Sequence, residues 1–272
     1  MDSTPPSLPQ RRSAAYPKRP LATLRAITAL MLREMATTYG RSPGGYLWAV
    51  MEPVAGIALL TAVFSVGFVA PPLGISFAMF YATGMVPFLF FADVSGKIAT
   101  SLMFSKPLLA YPSVTFLDAI TARFILNVLT QLMVAYIVLF GTMKLLETRV
   151  IPDLVVIIQA CALTATLALG VGVMNAFLFT RFNVWQRAWS IIMRPMFVIS
   201  GIFLLPESIP EPYQTYLNFN PIVHIIGLMR RGFYASYDAS YVSIPYVLSI
   251  SLSSLVLGLL FLRRYHRDLL NS

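Results

Sequence analysis

Residues 153–179 read D-L-V-V-I-I-Q-A-C-A-L-T-A-T-L-A-L-G-V-G-V-M-N-A-F-L-F, and no charged residue follows Asp153 before Arg181. A helix needs about 20 consecutive apolar residues to cross the hydrocarbon of a bilayer, so this run is long enough to span. Five more runs of this kind lie at about 46–69, 77–98, 115–141, 188–205 and 241–262. The pattern predicts an all-α integral membrane protein with six transmembrane helices. Composition agrees. Of 272 residues, 57% are hydrophobic and 11% charged, whereas a soluble domain averages about 25% charged. A soluble surface would still need those charges; a surface facing lipid does not.

The net charge is +9. It sits at the chain ends and between the apolar runs, which points to the membrane surface and away from nucleic acid. Thirteen Lys and Arg lie on the N-terminal side of the expected spans. Four, Lys144, Arg149, Arg230 and Arg231, lie on the other side. That bias places both termini in the cytoplasm and favours an even number of spans. The first 45 residues hold no signal-like apolar run, so the run at Tyr46 is expected to be retained. Residues 1–20 read as a disordered basic tail rich in Pro and Ser. Residues 21–45 read as an amphipathic helix, with Leu21, Leu24, Ile27, Met31 and Met35 at helical spacing, broken by Gly40, Pro43, Gly44 and Gly45. It suits either the membrane interface or a partner subunit. Residues 46–272 form the transmembrane domain.

Two connections are more than turns. The stretch Met103 to Thr115 contains Lys106-Pro107 and Tyr111-Pro112 and can hold a short helix across the cytoplasmic face. The external stretch Pro206 to Ser240 contains Asn220-Pro221, a helix start, since Asn caps and Pro suits the first helical position. The apolar run behind it, Ile222 to Met229, is too short to span. A re-entrant or interfacial helix pair at the outer face is expected there.

Enzyme signatures are missing from the sequence. There is no phosphate loop of the form G-x-x-x-x-G-K-[ST] and no H-E-x-x-H. Cys161 is the only cysteine, which excludes an intrachain disulfide or a cysteine metal cluster. The two histidines, His224 and His266, fall on opposite sides of the expected membrane. No catalytic or metal-ligating residue and no cofactor is therefore expected in this chain. Ionisable groups inside spans are costly and mark function or interhelical pairing. Glu52, Asp93, Arg123 and Arg194 all fall roughly 8–12 Å inside the cytoplasmic edge at about 1.5 Å per residue. Asp93 and Lys97 stand four residues apart and can pair. Glu52 can pair with Arg123 or Arg194. Tyr46, Trp48, Trp185 and Trp189 crowd the inner ends of two spans, either as an interface belt or as stacking platforms for sugar rings. Arg230 and Arg231 run against the charge bias and are candidates to meet an anionic substrate, a lipid headgroup or a partner.

The stretch 33–53, R-E-M-A-T-T-Y-G-R-S-P-G-G-Y-L-W-A-V-M-E-P, resembles the start of the ABC-2 type permease family. It looks most like the capsular polysaccharide exporters, the KpsM-like branch. Gly40, Arg41, Ser42, Gly45, Tyr46, Leu47, Trp48, Glu52 and Pro53 carry the match. Residues 218–234, N-F-N-P-I-V-H-I-I-G-L-M-R-R-G-F-Y, resemble the outer segment before that family's last span. The resemblance implies a homodimer working with a separate subunit that binds ATP and Mg. It also implies a periplasmic copolymerase, an outer-membrane export protein, and a lipid-linked, often acidic polysaccharide as substrate in the bacterial inner membrane. Arg41, Tyr46, Trp48, Glu52, Arg123, Trp185, Arg187, Arg194, Arg230 and Arg231 become substrate-path candidates. Ser105, Lys106, Pro107, Tyr111 and Pro112 become candidates for coupling to the ATPase. Alternatives are export of O-antigen, teichoic acid, a small lipid or a drug. A membrane-embedded transferase, or a scaffold in a secretion complex, is a more distant one.

Overall fold

The computed structural model describes residues 22–39, 44–109, 114–146, 148 and 150–271. These fold as helices and connecting turns. The expected tail 1–20, together with Arg41, Tyr111 and Pro112, lies outside the described residues. Helix α1 is Ala22–Glu34, continued by one wide turn, Met35–Tyr39. Then come α2 Gly45–Gly67, α3 Phe77–Ala99, α4 Ser101–Leu109, α5 Phe116–Leu145, α6 Leu154–Arg181 and α7 Asn183–Val198. A 3₁₀ turn at Pro206–Ser208 precedes α8 Tyr213–Asn218, α9 Pro221–Phe233 and α10 Ile244–Asn271.

The helix starts follow from local side chains. Ser76 caps α3 by accepting from the Met79 N–H. Thr115 and Asp118 form a reciprocal capping box at α5. Asp153 accepts from the N–H groups of Val155 and Val156 at α6. Asn220 accepts from Ile222 at 3.0 Å, with Pro221 at the first helical position, as the sequence predicts.

Among the described residues, five helical stretches are long and apolar enough to cross a membrane: Gly45–Gly67, Phe77–Pro107, Phe116–Leu145, Leu154–Arg181 and Ile244–Tyr265. The expected span at 188–205 has a different form. Its helix, α7, starts at Asn183 and ends at Val198, and none of its side chains is buried. Sixteen residues rise about 24 Å, short of the ~30 Å hydrocarbon core. Gly201, in the left-handed region at φ 78°, turns the chain beyond it. Arg187 and Arg194 also lower the apolar character of this stretch.

Helix α3 is the centre. Sixteen of its side chains are buried, and it touches α2, α5, α6 and α9. Helix α5 runs antiparallel to it, pairing Gln131 with Asp93 and Arg123 with Thr100. Helices α6 and α10 run parallel, with Gly170 against Ser251, Gly258 against Met174, and the Phe177 and Phe261 rings 5.0 Å apart. Lipid gives no hydrophobic drive between helices, so close backbone approach at small residues supplies the packing. A Cβ on Gly258 would stand 2.7 Å from the Met174 nitrogen, which explains a glycine there. By contrast, α2 buries only Pro53 and Ile57.

Helix α1 packs on α5, with Leu30 buried against Ala119 and Ala122 and with Ile27 and Met31 beside them. Leu24 and Leu32 stay exposed. At the opposite end of the bundle α9 is almost wholly buried between α3 and α6.

Candidate functional site

Three clusters of polar side chains stand out against the apolar bundle. The first lines a cavity of about 580 Å³ between the start of α2, the second half of α3 and the middle of α5. Trp48, Glu52, Asp93, Lys97 and Gln131 line it together with Gly45, Ala49, Pro53 and apolar neighbours. Pro53, inside α2, removes the N–H that would bond the Ala49 carbonyl. The Gln131 amide donates to Asp93 at 3.0 Å. The expected i,i+4 pair of Asp93 with Lys97 is not made within 4.0 Å. The cavity thus offers carboxylates, an amide, an ammonium and an aromatic face. Few convergent polar groups in an apolar frame are what orient a ligand in a pocket. A hydroxyl-rich ligand can use all of them.

The second cluster holds Arg123. Its Nε donates to Glu34 at 3.2 Å, forming an ion pair whose side chains are 7% and 3% exposed. Its Nη1 donates to the Lys97 carbonyl at 2.7 Å and to the Thr100 hydroxyl at 2.8 Å. The Arg123 guanidinium lies 4.2 Å from the Phe104 ring centre, and that of Arg33 lies 4.9 Å from it. Arg123 therefore pairs with Glu34 of α1, in place of the expected Glu52. Glu52 is exposed, on the cavity wall.

The third cluster is at the far end. Arg230 is fully buried, 4.2 Å over the Phe80 ring, with Nη2 donating to the Ile202 carbonyl at 3.0 Å. It anchors the turn that follows α7. Arg231 is exposed and lines a second cavity of about 350 Å³ with Asp153, Tyr237 and Asp238. The Tyr237 hydroxyl donates to Glu207 at 3.2 Å and meets the Tyr241 hydroxyl. Burial pushes the Tyr234 and Tyr241 phenols up to about 12, and the Tyr237 phenol up as well. Burial also lowers the Arg230 guanidinium from its ordinary value. The His224 ring bridges the end of α8 and the chain before α10: Nδ1 accepts from the Ser243 N–H at 3.1 Å, so Nε2 donates to the Asn218 carbonyl at 2.8 Å.

The remaining candidates are scattered. Tyr46 is half-buried at the start of α2. The Trp185 indole donates to Asn175 at 2.9 Å, tying the start of α7 to the end of α6. Arg187 and Arg194 are exposed on α7. In α4, Ser105 is buried while Lys106 and Pro107 are exposed.

Residues 25–234 match the family described as ABC-2 type transporter. The chain is 29% identical over 246 residues to the Escherichia coli polysialic acid transport protein KpsM, covering 90% of this chain and 95% of that one. It is 26% identical over 243 residues to the capsule polysaccharide export inner-membrane protein CtrC of Neisseria meningitidis, covering 89% and 92%. The capsule polysaccharide export inner-membrane protein BexB of Haemophilus influenzae is 24% identical over 244 residues, covering 89% and 92%.

Proposed function

The chain belongs to the ABC-2 type transporter family, and from that membership we propose that it is the permease of an exporter carrying a lipid-linked, acidic capsular polysaccharide across the inner membrane. One observation carries this reading. Relatives named for polysialic acid transport and for capsule polysaccharide export align over nearly their whole length. A second copy of the chain covers the faces of α2 and α7 that this bundle leaves open, and the two copies enclose the path. An ATP-binding subunit, holding ATP and Mg, docks at the α4 end. A periplasmic copolymerase and an outer-membrane export protein receive the polymer.

In this reading α7 and residues 199–205 make the fifth of six crossings. The Trp185–Asn175 bond at one end of α7 and the Phe197–Phe88 and Ile202–Arg230 contacts at the other support that path. Both termini then lie in the cytoplasm, and α8 and α9 form the re-entrant pair at the outer face. The cavity between α2, α3 and α5 opens in the inner half of the bundle, where Trp48 and Glu52 meet sugar rings and hydroxyls. Arg187 and Arg194, exposed on α7, supply cations for acidic groups on the same side.

The test is ATP hydrolysis by the purified chain, alone and co-purified with the ATP-binding subunit encoded beside it. Activity should appear only in the complex and should change in Lys106→Glu. Hydrolysis by the chain alone, or failure to form a complex, sinks the reading.

A further inference from the structure

We infer that α1 and α4 move as one body, locked through Arg123, so that the ATP-binding subunit acts on a composite element and not on α4 alone. The inference rests on the proposed permease reading for its partner, and on contacts within this chain for its mechanism.

Arg123 stands on α5 and bonds two other elements at once. Toward α1 it holds the Glu34 carboxylate, whose second oxygen accepts from the Asn127 amide at 3.4 Å. Toward α3 and α4 it holds the Lys97 carbonyl and the Thr100 hydroxyl. Thr100 is the single residue between α3 and α4. The Lys97 carbonyl lies in the last turn of α3, where helix carbonyls lack intrahelical partners. Arg123 therefore grips the break itself. Phe104 of α4 adds the other half of the lock. Its ring lies within cation–π distance of both Arg33 of α1 and Arg123 of α5.

A buried ion pair contributes little net stability compared with well-packed apolar residues, but removing one partner is strongly destabilising. Its use here is geometric. Any swing of α4 about Thr100 leaves Lys97 and Thr100 in place but draws the Phe104 ring away from both Arg33 and Arg123. The least costly motion carries α1, with Glu34 and Arg33, and the Arg123 turn of α5 along with α4. Arg123 is thus a positioning residue and not part of the polymer path.

The test uses the full complex with its ATP-binding subunit in lipid nanodiscs, on a Cys161→Ser background. Spin labels go at Leu24→Cys on α1 and Met103→Cys on α4, both exposed. A second pair joins Met103→Cys to Leu257→Cys on α10, also exposed. With ATP, the Leu24–Met103 distance should keep one narrow distribution while the Met103–Leu257 distance shifts. Glu34→Gln should widen the first distribution, and so should Phe104→Leu, which leaves the ion pair and its fold in place. An ATP-dependent change in the Leu24–Met103 distance of the unmodified lock overturns the inference. So does an unchanged distribution in Phe104→Leu. Absence of any complex defeats the permease reading instead, and the narrow distribution can then still be sought in the chain alone.

Discussion

Gly258→Ala tests whether α6 and α10 are set by backbone contact. A Cβ at 258 would lie 2.7 Å from the Met174 nitrogen and 2.9 Å from the Met174 Cα and the Val173 carbonyl carbon. All three atoms are main chain, so no rotamer change relieves the contact. Reaching an ordinary separation of 3.4 Å requires the helices to part by about 0.7 Å, and such overpacking costs about 1–3 kcal/mol. Alanine recovers about 0.5–1 kcal/mol of helix preference over glycine. Taking the middle of each range, the net expectation is a loss of about 1 kcal/mol, or roughly 2–4 °C in melting temperature. Gly141 in α5 is the control, because a Cβ there meets nothing within 4 Å. Gly141→Ala should raise the melting temperature by about 1–4 °C. Unfolding in detergent can be followed with a thiol-reactive dye at Cys161, a half-buried cysteine of α6. A Gly258→Ala protein that melts at or above the parent, or a Gly141→Ala protein that falls as far, would refute the argument.

Three other outcomes are expected. Asn220→Ala removes the cap on the Ile222 N–H and should cost about 1 kcal/mol in thermal unfolding, with Asn220→Ser recovering most of it. The Tyr241 phenol, raised from 10.0 to about 12 in the fold, binds its proton more tightly folded than unfolded. Its contribution is whole below pH 10 and lost as pH rises toward about 12, so Tyr241→Phe should flatten the alkaline fall in melting temperature. Trp48→Ala should weaken polymer engagement about 2–10-fold, the worth of one aromatic contact, with assembly of the complex unchanged; equal engagement would take Trp48 out of the path.

Much of the fold is legible in the sequence because lipid imposes a simple demand: apolar runs of span length, and polar connections. Asn220-Pro221 is legible for a similar reason, since its chemistry is local. Thr115-x-x-Asp118 is a capping signal of the same local kind, carried by spacing alone. Position 188–205 was harder. Hydropathy averages over a window and does not register that Gly201 turns the chain and that the helix ends at Val198. Hydropathy marks the charged groups inside the bundle but not their partners. Asp93 looks toward Lys97 in sequence, yet Gln131 of α5, 38 positions away, makes the bond. Arg123 and Glu34 are 89 positions apart, and nothing in periodicity joins them. Arg230 and Arg231 are neighbours in sequence, but the helix turns one into the core and the other outward. Pairing is set by which helices touch, and that is a property of packing.

The stretch Phe77–Pro107 is 31 residues of nearly continuous helix, about 46 Å long, against ~30 Å of hydrocarbon. Its α4 end lies against α1 and α5, where Arg33 and Arg123 flank the Phe104 ring. The same stretch is also the axle of the bundle, touching four other helices along its buried length. A load applied to the α4 end therefore enters at the centre of the molecule and not at its rim. The loosely held outer helix α2 can yield to that load while the tight α6–α10 pair resists it. Input at one tip is thereby turned into unequal movement around the circumference.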